Sequence, residues 1–319
     1  MREIEKQTET ALFILYQRIA RVFYDVMNEV QNSTTVCFDM MKSLVLQKTS
    51  ISQAYYSRQL YLYVFGVIVH RGKERPQLND DIHLYVWQEN QNKKENNMIS
   101  SALEDCFRRR IHDLVKESGH LCLFSDSCFG QNKNMNLVSM LMSLKQLFSG
   151  LTVNYTFPIR GHSYLPADRV FGRIEQSVRK QETILLPEEY YSILKKFGHV
   201  YVYGKDWVAF VYKSAAKRCV KQKRSFKIGE ARMLDLSSSK VGYKTAYSGE
   251  FCYHSVLKPR KKWTDLNPTE LPETSTAKEP KKKDVFALLR QLGVNDEVQA
   301  FYNNAFGELT EEAAKSCDE

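Results

Sequence analysis

A chain of 319 residues, 43% hydrophobic and 26% charged, is long enough for one large core or two modest ones and too apolar to remain disordered. No run of eighteen apolar residues occurs, so no membrane span or membrane partner is expected, and the charged opening MREIEKQTET lacks the apolar centre of a signal peptide. A net charge of +9 favours an anionic partner, nucleic acid first, and seven cysteines without pairing or metal-ligand spacing suggest reduced thiols inside a cell.

Residues 3–31 place Ala11, Leu12, Leu15, Ile19 and Val22 at helical spacing without Gly or Pro, which predicts an N-terminal helix over 1–31. TTVCFDMM then reads as a short buried strand carrying Asp39. RQLYLYVFGVIVH and IHLYVWQE, rich in β-branched and aromatic residues, read as two more strands around a polar turn. Residues 95–118 are predicted helical, with Gly119 as the stop. HLCLFSD is nearly all apolar and reads as a central strand covered on both faces. A helix over 132–148, a fifth strand in LTVNYTF and a helix starting near Pro166 follow.

Three strands in a meander followed by strand–helix alternation describe an α/β domain with a mixed five-stranded sheet and flanking helices, the order of the RNase H-like fold. This domain is predicted over 32–186. Residues 187–263 read as a basic β-rich extension in a small C-terminal α+β region. Residues 264–283, rich in Pro, Thr, Glu and Lys, read as a linker, and 284–319 as a helix pair.

The acids fall in a pattern on this topology. Asp39 lies on the first strand, Asp126 at the carboxyl end of the fourth, and Asp168 and Glu175 two turns apart on the helix after the fifth. Singly, such residues are usually turn or cap acids. Together, at the ends of neighbouring strands where ligands collect in open sheets, they form a carboxylate cluster that needs a cation between its members. Mg²⁺ or Mn²⁺ suits oxygen ligands, and two such ions serve phosphodiester attack.

The blocks SDSCFGQNKN and GHSYLPADRVFGRIE, with FDMMKSL, YYSRQLYLYVFGVIVH and YVWQEN, closely resemble a transposase-like domain family abundant in arthropod and cnidarian genomes. The resemblance runs over about residues 36–182. It implies a DDE-type enzyme of RNase H-like fold in which Asp39, Asp126 and either Glu175 or Asp168 hold two metal ions, Glu175 being preferred by analogy with the usual final Glu. It also implies DNA as partner, a nuclear location and compatibility with a homodimer. The chain departs from the pattern after Trp87, where Gln88-Glu89-Asn90 stand in place of an acid and a Gly.

Further candidates surround these acids. His162 is a candidate phosphate contact or metal-water tuner, or a packed turn histidine. Gln131, Asn132 and Asn134 are candidates to contact the scissile phosphate at a helix start, or to cap that helix. Arg169 and Arg173 share the helix with the acids. From Lys205 to Arg232 nine Lys or Arg oppose only Asp206 and Glu230. Lys217, Arg218, Lys221, Lys223 and Arg224, among aromatics, therefore form a candidate backbone-binding surface. The runs KPRKKW and KEPKKKD are short enough to be import signals. Three readings stand: a DDE-type transposase or derived nuclease, an inactive copy that only binds DNA or protein, and an RNase H-like nuclease acting on RNA or hybrids.

Overall fold

The central strands are apolar almost without interruption, so both faces of the sheet must be covered. The computed structural model describes residues 33–70, 78–158, 165–272 and 278–306. The predicted helix over 1–31 and His162 lie outside the described residues, as does the end of the predicted C-terminal helix pair.

The described strands are β1 (Thr34–Met40), β2 (Leu44–Val45), β3 (Tyr61–His70), β4 (Ile82–Gln88), β5 (His120–Ser125), β6 (Thr152–Thr156), β7 (His199–Val202), β8 (Met233–Asp235), β9 (Val241–Lys244) and β10 (Cys252–His254). The described helices are α1 (Ser52–Tyr56), α2 (Asn96–Asp105), α3 (His112–Ser118), α4 (Met135–Leu144), α5 (Pro166–Arg179), α6 (Pro187–Leu194), α7 (Tyr212–Cys219), α8 (Glu279–Leu292) and α9 (Asp296–Phe306). The strands form one mixed sheet in the order β10-β9-β8-β6-β5-β1-β3-β4-β7, with β2 paired to β3. The five predicted strands are its middle: β1, β3 and β4 form the antiparallel meander, and β5 and β6 continue parallel to β1.

The sheet has ten strands rather than five. Besides the short β2, the stretch predicted as a separate extension supplies the other four: β7 joins the β4 edge in parallel, and β8 to β10 extend the β6 edge. The predicted linker is also partly structured. Val211 N–H donates to Thr269 O and Leu271 N–H to Ala209 O, pinning the chain alongside residues 209–211. In α8, Lys281 pairs with Glu89 at 2.6 Å and Lys282 is buried, so the second lysine run is part of a packed helix.

Alternation divides the core in two. Val36, Phe38, Phe65, Tyr85, Trp87, Leu123 and Tyr155 face α2, α4 and α7; Cys37, Val64, Leu84, Cys122 and Phe124 face α5, α6, α8 and α9. Each buried Leu, Val or Phe contributes roughly 1.5–3 kcal/mol against exposure. The predicted helix over 95–118 is interrupted by one π turn at Cys106–Arg110. Arg110 there donates to Asp105 at 3.0 Å and lies 4.1 Å over the Tyr201 ring. Among the described residues, no helix is long and apolar enough to cross a membrane.

One glycine sets how closely α5 approaches. Gly66 on β3 pairs with Asp39, and a β-carbon there would come within 2.8 Å of the Phe171 ring and 3.3 Å of Ile68 Cδ1. Gly66→Val is therefore expected to destabilise the fold by about 1–3 kcal/mol through overpacking, read as a lower denaturant midpoint. An unchanged midpoint would show that α5 does not depend on this contact.

Candidate active site at the carboxyl ends of β1 and β5

Parallel pairing of β1 with β5 runs from Thr34↔Leu121 to Phe38↔Ser125. One further step places Asp39 beside Asp126, with backbones about 5 Å apart at the usual strand spacing. Alternation puts both on the side of Cys37, Cys122 and Phe124, the face covered by α5. Both are half-buried. Asp39 Oδ1 accepts from Met40 N–H at 2.7 Å. Asp126 Oδ1 accepts from Asn132 Nδ2 at 2.5 Å and from Cys128 N–H at 3.2 Å.

Burial, then the charge of Asp126, then that of Asp168 push Asp39 up from its ordinary 3.8 to about 7, against the pull of Met40 N–H and Lys94. Asp168 sits at the exposed start of α5, where its Oδ2 accepts from Leu165 N–H at 2.8 Å and caps the helix. Even at this exposed rim, partial burial raises its carboxyl, and Asp126 adds to the rise against the Leu165 hydrogen bond. Of the two candidates on α5, Asp168 is the one whose charge is coupled to Asp39 and Asp126. Glu175, preferred from the sequence, lies two turns on, about 10 Å along the helix, and pairs with Arg179 at 3.8 Å.

Two groups essential to this arrangement carry no mark in the sequence. Lys94 follows β4 in a polar loop; its ammonium donates to Met41 O at 3.3 Å and interacts with Asp39, Cys128 and Asp126, while burial lowers its pKa. Tyr155 on β6 shares a 2.6 Å hydrogen bond with Ser125 and donates to Asn132 O at 3.1 Å, so it braces the loop that holds Asp126. A lysine in a polar loop and a tyrosine on an alternating strand are ordinary; only the tertiary fold brings them here.

The amides behave differently from the phosphate contacts predicted. Asn132 is fully buried and spends its Nδ2 on Asp126. Asn134 caps α4, accepting from Asn136 N–H and Leu137 N–H at 3.1 Å each. Asn132 alone is turned fully inward; Asn134 takes the capping role, and it and Gln131 are half-buried. Arg169 and Arg173 are exposed on α5, Arg173 lying 5.3 Å over the Phe197 ring.

The predicted basic surface does not adjoin the acids. Lys217 and Arg218 are on α7, which covers the opposite face of the sheet, and Lys223 and Arg224 are exposed beyond it. Arg218 donates to Asn267 O at 2.7 Å, Lys221 to Ser255 O at 3.0 Å and Arg224 to Lys221 O at 2.9 Å.

The donor chemistry fits a hard divalent cation: Asp39 and Asp126 present adjacent carboxylates, and one is held near neutrality by the other's charge and by burial. The fit rests on these two residues. Among the described residues, no group of three or more His, Cys, Asp or Glu side chains is set around a single metal position.

Residues 52–205 match a domain of unknown function, DUF7869. The match runs from α1 past β7, so it contains Asp126 and Asp168, while Asp39 lies upstream of it. No curated protein and no solved structure matches the chain.

The folded pKa of Asp39 exceeds its unfolded value, so its contribution favours the fold below about pH 4 and is lost as pH rises through about 7. In chelator, Asp39→Asn is expected to raise stability above pH 7 by about 1–4 kcal/mol and to add little near pH 4. Denaturant melts across this range test the sign. An equal effect at both ends would mean that Asp39 is not a strained carboxylate.

Proposed function

We propose that this chain is a DDE-type, transposase-like protein of RNase H-like fold that cleaves or joins DNA phosphodiesters. The observation that carries the reading is the juxtaposition of Asp39 and Asp126 at the ends of adjacent parallel strands. The strand order supports it: a three-strand antiparallel meander whose first strand is flanked by the fourth, with the fifth beyond, is the RNase H-like arrangement of the five core strands.

Asp39 and Asp126 would hold Mg²⁺ or Mn²⁺, with Asp168 at the rim. When bound, such ions supply an activated water or 3′-hydroxyl and stabilise the leaving oxygen. The chain's own residues do the positioning. Asn132 fixes the orientation of Asp126 by donating to it, and Tyr155 fixes Asn132. Lys94 brings positive charge beside the carboxylates, where it can pair with a phosphate oxygen. The positive net charge of the chain draws the polyanion in.

Lys94 also favours a second reading. Its ammonium is an internal counter-ion for the acids, as a binding protein that no longer uses a metal would require. Nicking of supercoiled DNA in Mg²⁺ or Mn²⁺ separates the two. Asp126→Asn is expected to lose at least about a hundredfold in rate, Asp168→Asn at least about tenfold and Glu175→Gln less than about threefold, the scale of losing one transition-state contact against none. Wild-type protein that binds DNA but neither nicks it nor binds Mn²⁺ establishes the second reading. A preference for RNA–DNA hybrids over duplex DNA would instead identify an RNase H-like nuclease.

A further inference from the structure

Beyond α4, on the far side of the molecule from the acids, the chain builds a cleft of about 770 Å³ between residues 237–240 and 255–264. Its position follows from topology. Asp126 lies past the carboxyl end of β5, whereas β8 runs antiparallel to β6, so the segment after Asp235 emerges at the opposite end of the strands. Lys145, immediately after α4, joins the lining, while the loop holding Asp126 precedes that helix.

Seven Lys or Arg line this cleft and no Asp or Glu does. Three of the cations build it. Lys145 Nζ donates to the carbonyls of Leu236, Ser237 and Ser238 at 2.8, 2.5 and 2.9 Å, folding the serine-rich loop over itself. Lys221 holds Ser255 O and Lys258 holds Lys217 O. Trp263, buried beneath, donates to Ser239 O at 3.0 Å and ties the two walls together. The other four, Lys240, Arg260, Lys261 and Lys262, are exposed, and no described residue gives them an ion-pair partner. Arg260 is also the only non-glycine among the described residues with positive φ, at 61°. The turn keeps an arginine where glycine would fit more easily.

We propose that this cleft binds the phosphodiester backbone of nucleic acid, at a distance from the acidic site. The four cations come from two loops, Lys240 on one and Arg260, Lys261 and Lys262 in a row on the other, and a row of charges suits a ligand with one charge per nucleotide. Ser237 and Ser238 spend their hydroxyls inside the loop, on Asp235 Oδ1 and Lys240 O, so the exposed cations carry the contact with phosphate. The run KPRKKW is thus one wall of a folded binding surface. The cleft shares no residue with the acidic site, so its binding does not depend on whether that site cuts.

The test is equilibrium binding of a fluorescein-labelled 30-base-pair duplex to the full chain, followed by anisotropy in EDTA, so that cleavage plays no part. Lys240→Gln with Lys261→Gln and Lys262→Gln is expected to weaken binding at least tenfold at low salt and to flatten the salt dependence by about three phosphate contacts. Arg260→Gly relaxes the backbone, so it is expected to retain or raise thermal stability while weakening binding. Lys240→Arg with Lys261→Arg and Lys262→Arg keeps the charge and is expected to bind as wild type. Unchanged affinity and salt slope in the glutamine variant would overturn the proposal, as would equal loss in the arginine variant. Loss of binding to phosphatidylserine vesicles with duplex binding intact would assign the cleft to a membrane surface instead.

Discussion

The parallel pairing of β1 with β5 brings two aspartates that are 87 positions apart in sequence to one end of the sheet. Side by side and half-buried, they repel each other, and burial keeps water from screening the repulsion. Much of the surrounding structure answers that constraint. Met40 N–H, Cys128 N–H and the Asn132 amide each donate to one of the two, and Lys94 contributes a positive charge. A pair so costly to keep together, on strands whose other side chains are core hydrophobics, adds nothing to stability and marks a candidate site.

The second layer concerns α5. Its first turn reaches the acids because β3 carries no side chain at Gly66, so Phe171 can settle directly against the strand. Asp168, in that first turn, feels the charge of Asp126, while Glu175 lies two turns further along the helix. Capping and charge are combined in Asp168: the same carboxylate that satisfies Leu165 N–H also meets the field of Asp126.

How much of this was legible in the sequence depended on whether the signal was local. Alternation in β3, β4 and β5, and the apolar face of α5, are properties of short windows, and those elements lie where the pattern puts them. The placement of Asp39 and Asp126 on strand ends followed from the same windows. The choice between Asp168 and Glu175 did not, because residues seven apart on a helix share a face, and only the tertiary fold couples Asp168 to Asp126 while Glu175 pairs with Arg179. β8 and β10, three residues each, are too short to show a period. The supposed linker owes its order to backbone hydrogen bonds with residues about sixty positions earlier. The basic cleft joins Lys145 to residues near 240 and 260, and no window contains all three.

The C-terminal helices have a bearing on how such a chain is made. Val285, Phe286, Leu289, Val298 and Tyr302 belong to the same core as Leu62, Val64 and Leu84, and Arg58 meets Asp284 across 226 positions. During synthesis the apolar side of β3 and β4 is complete long before the residues that cover it have emerged. Until then that surface is open to other chains, and closing it requires some of the longest loops in the molecule. A ribosome pausing between β4 and α8 would leave the sheet formed but half-dressed.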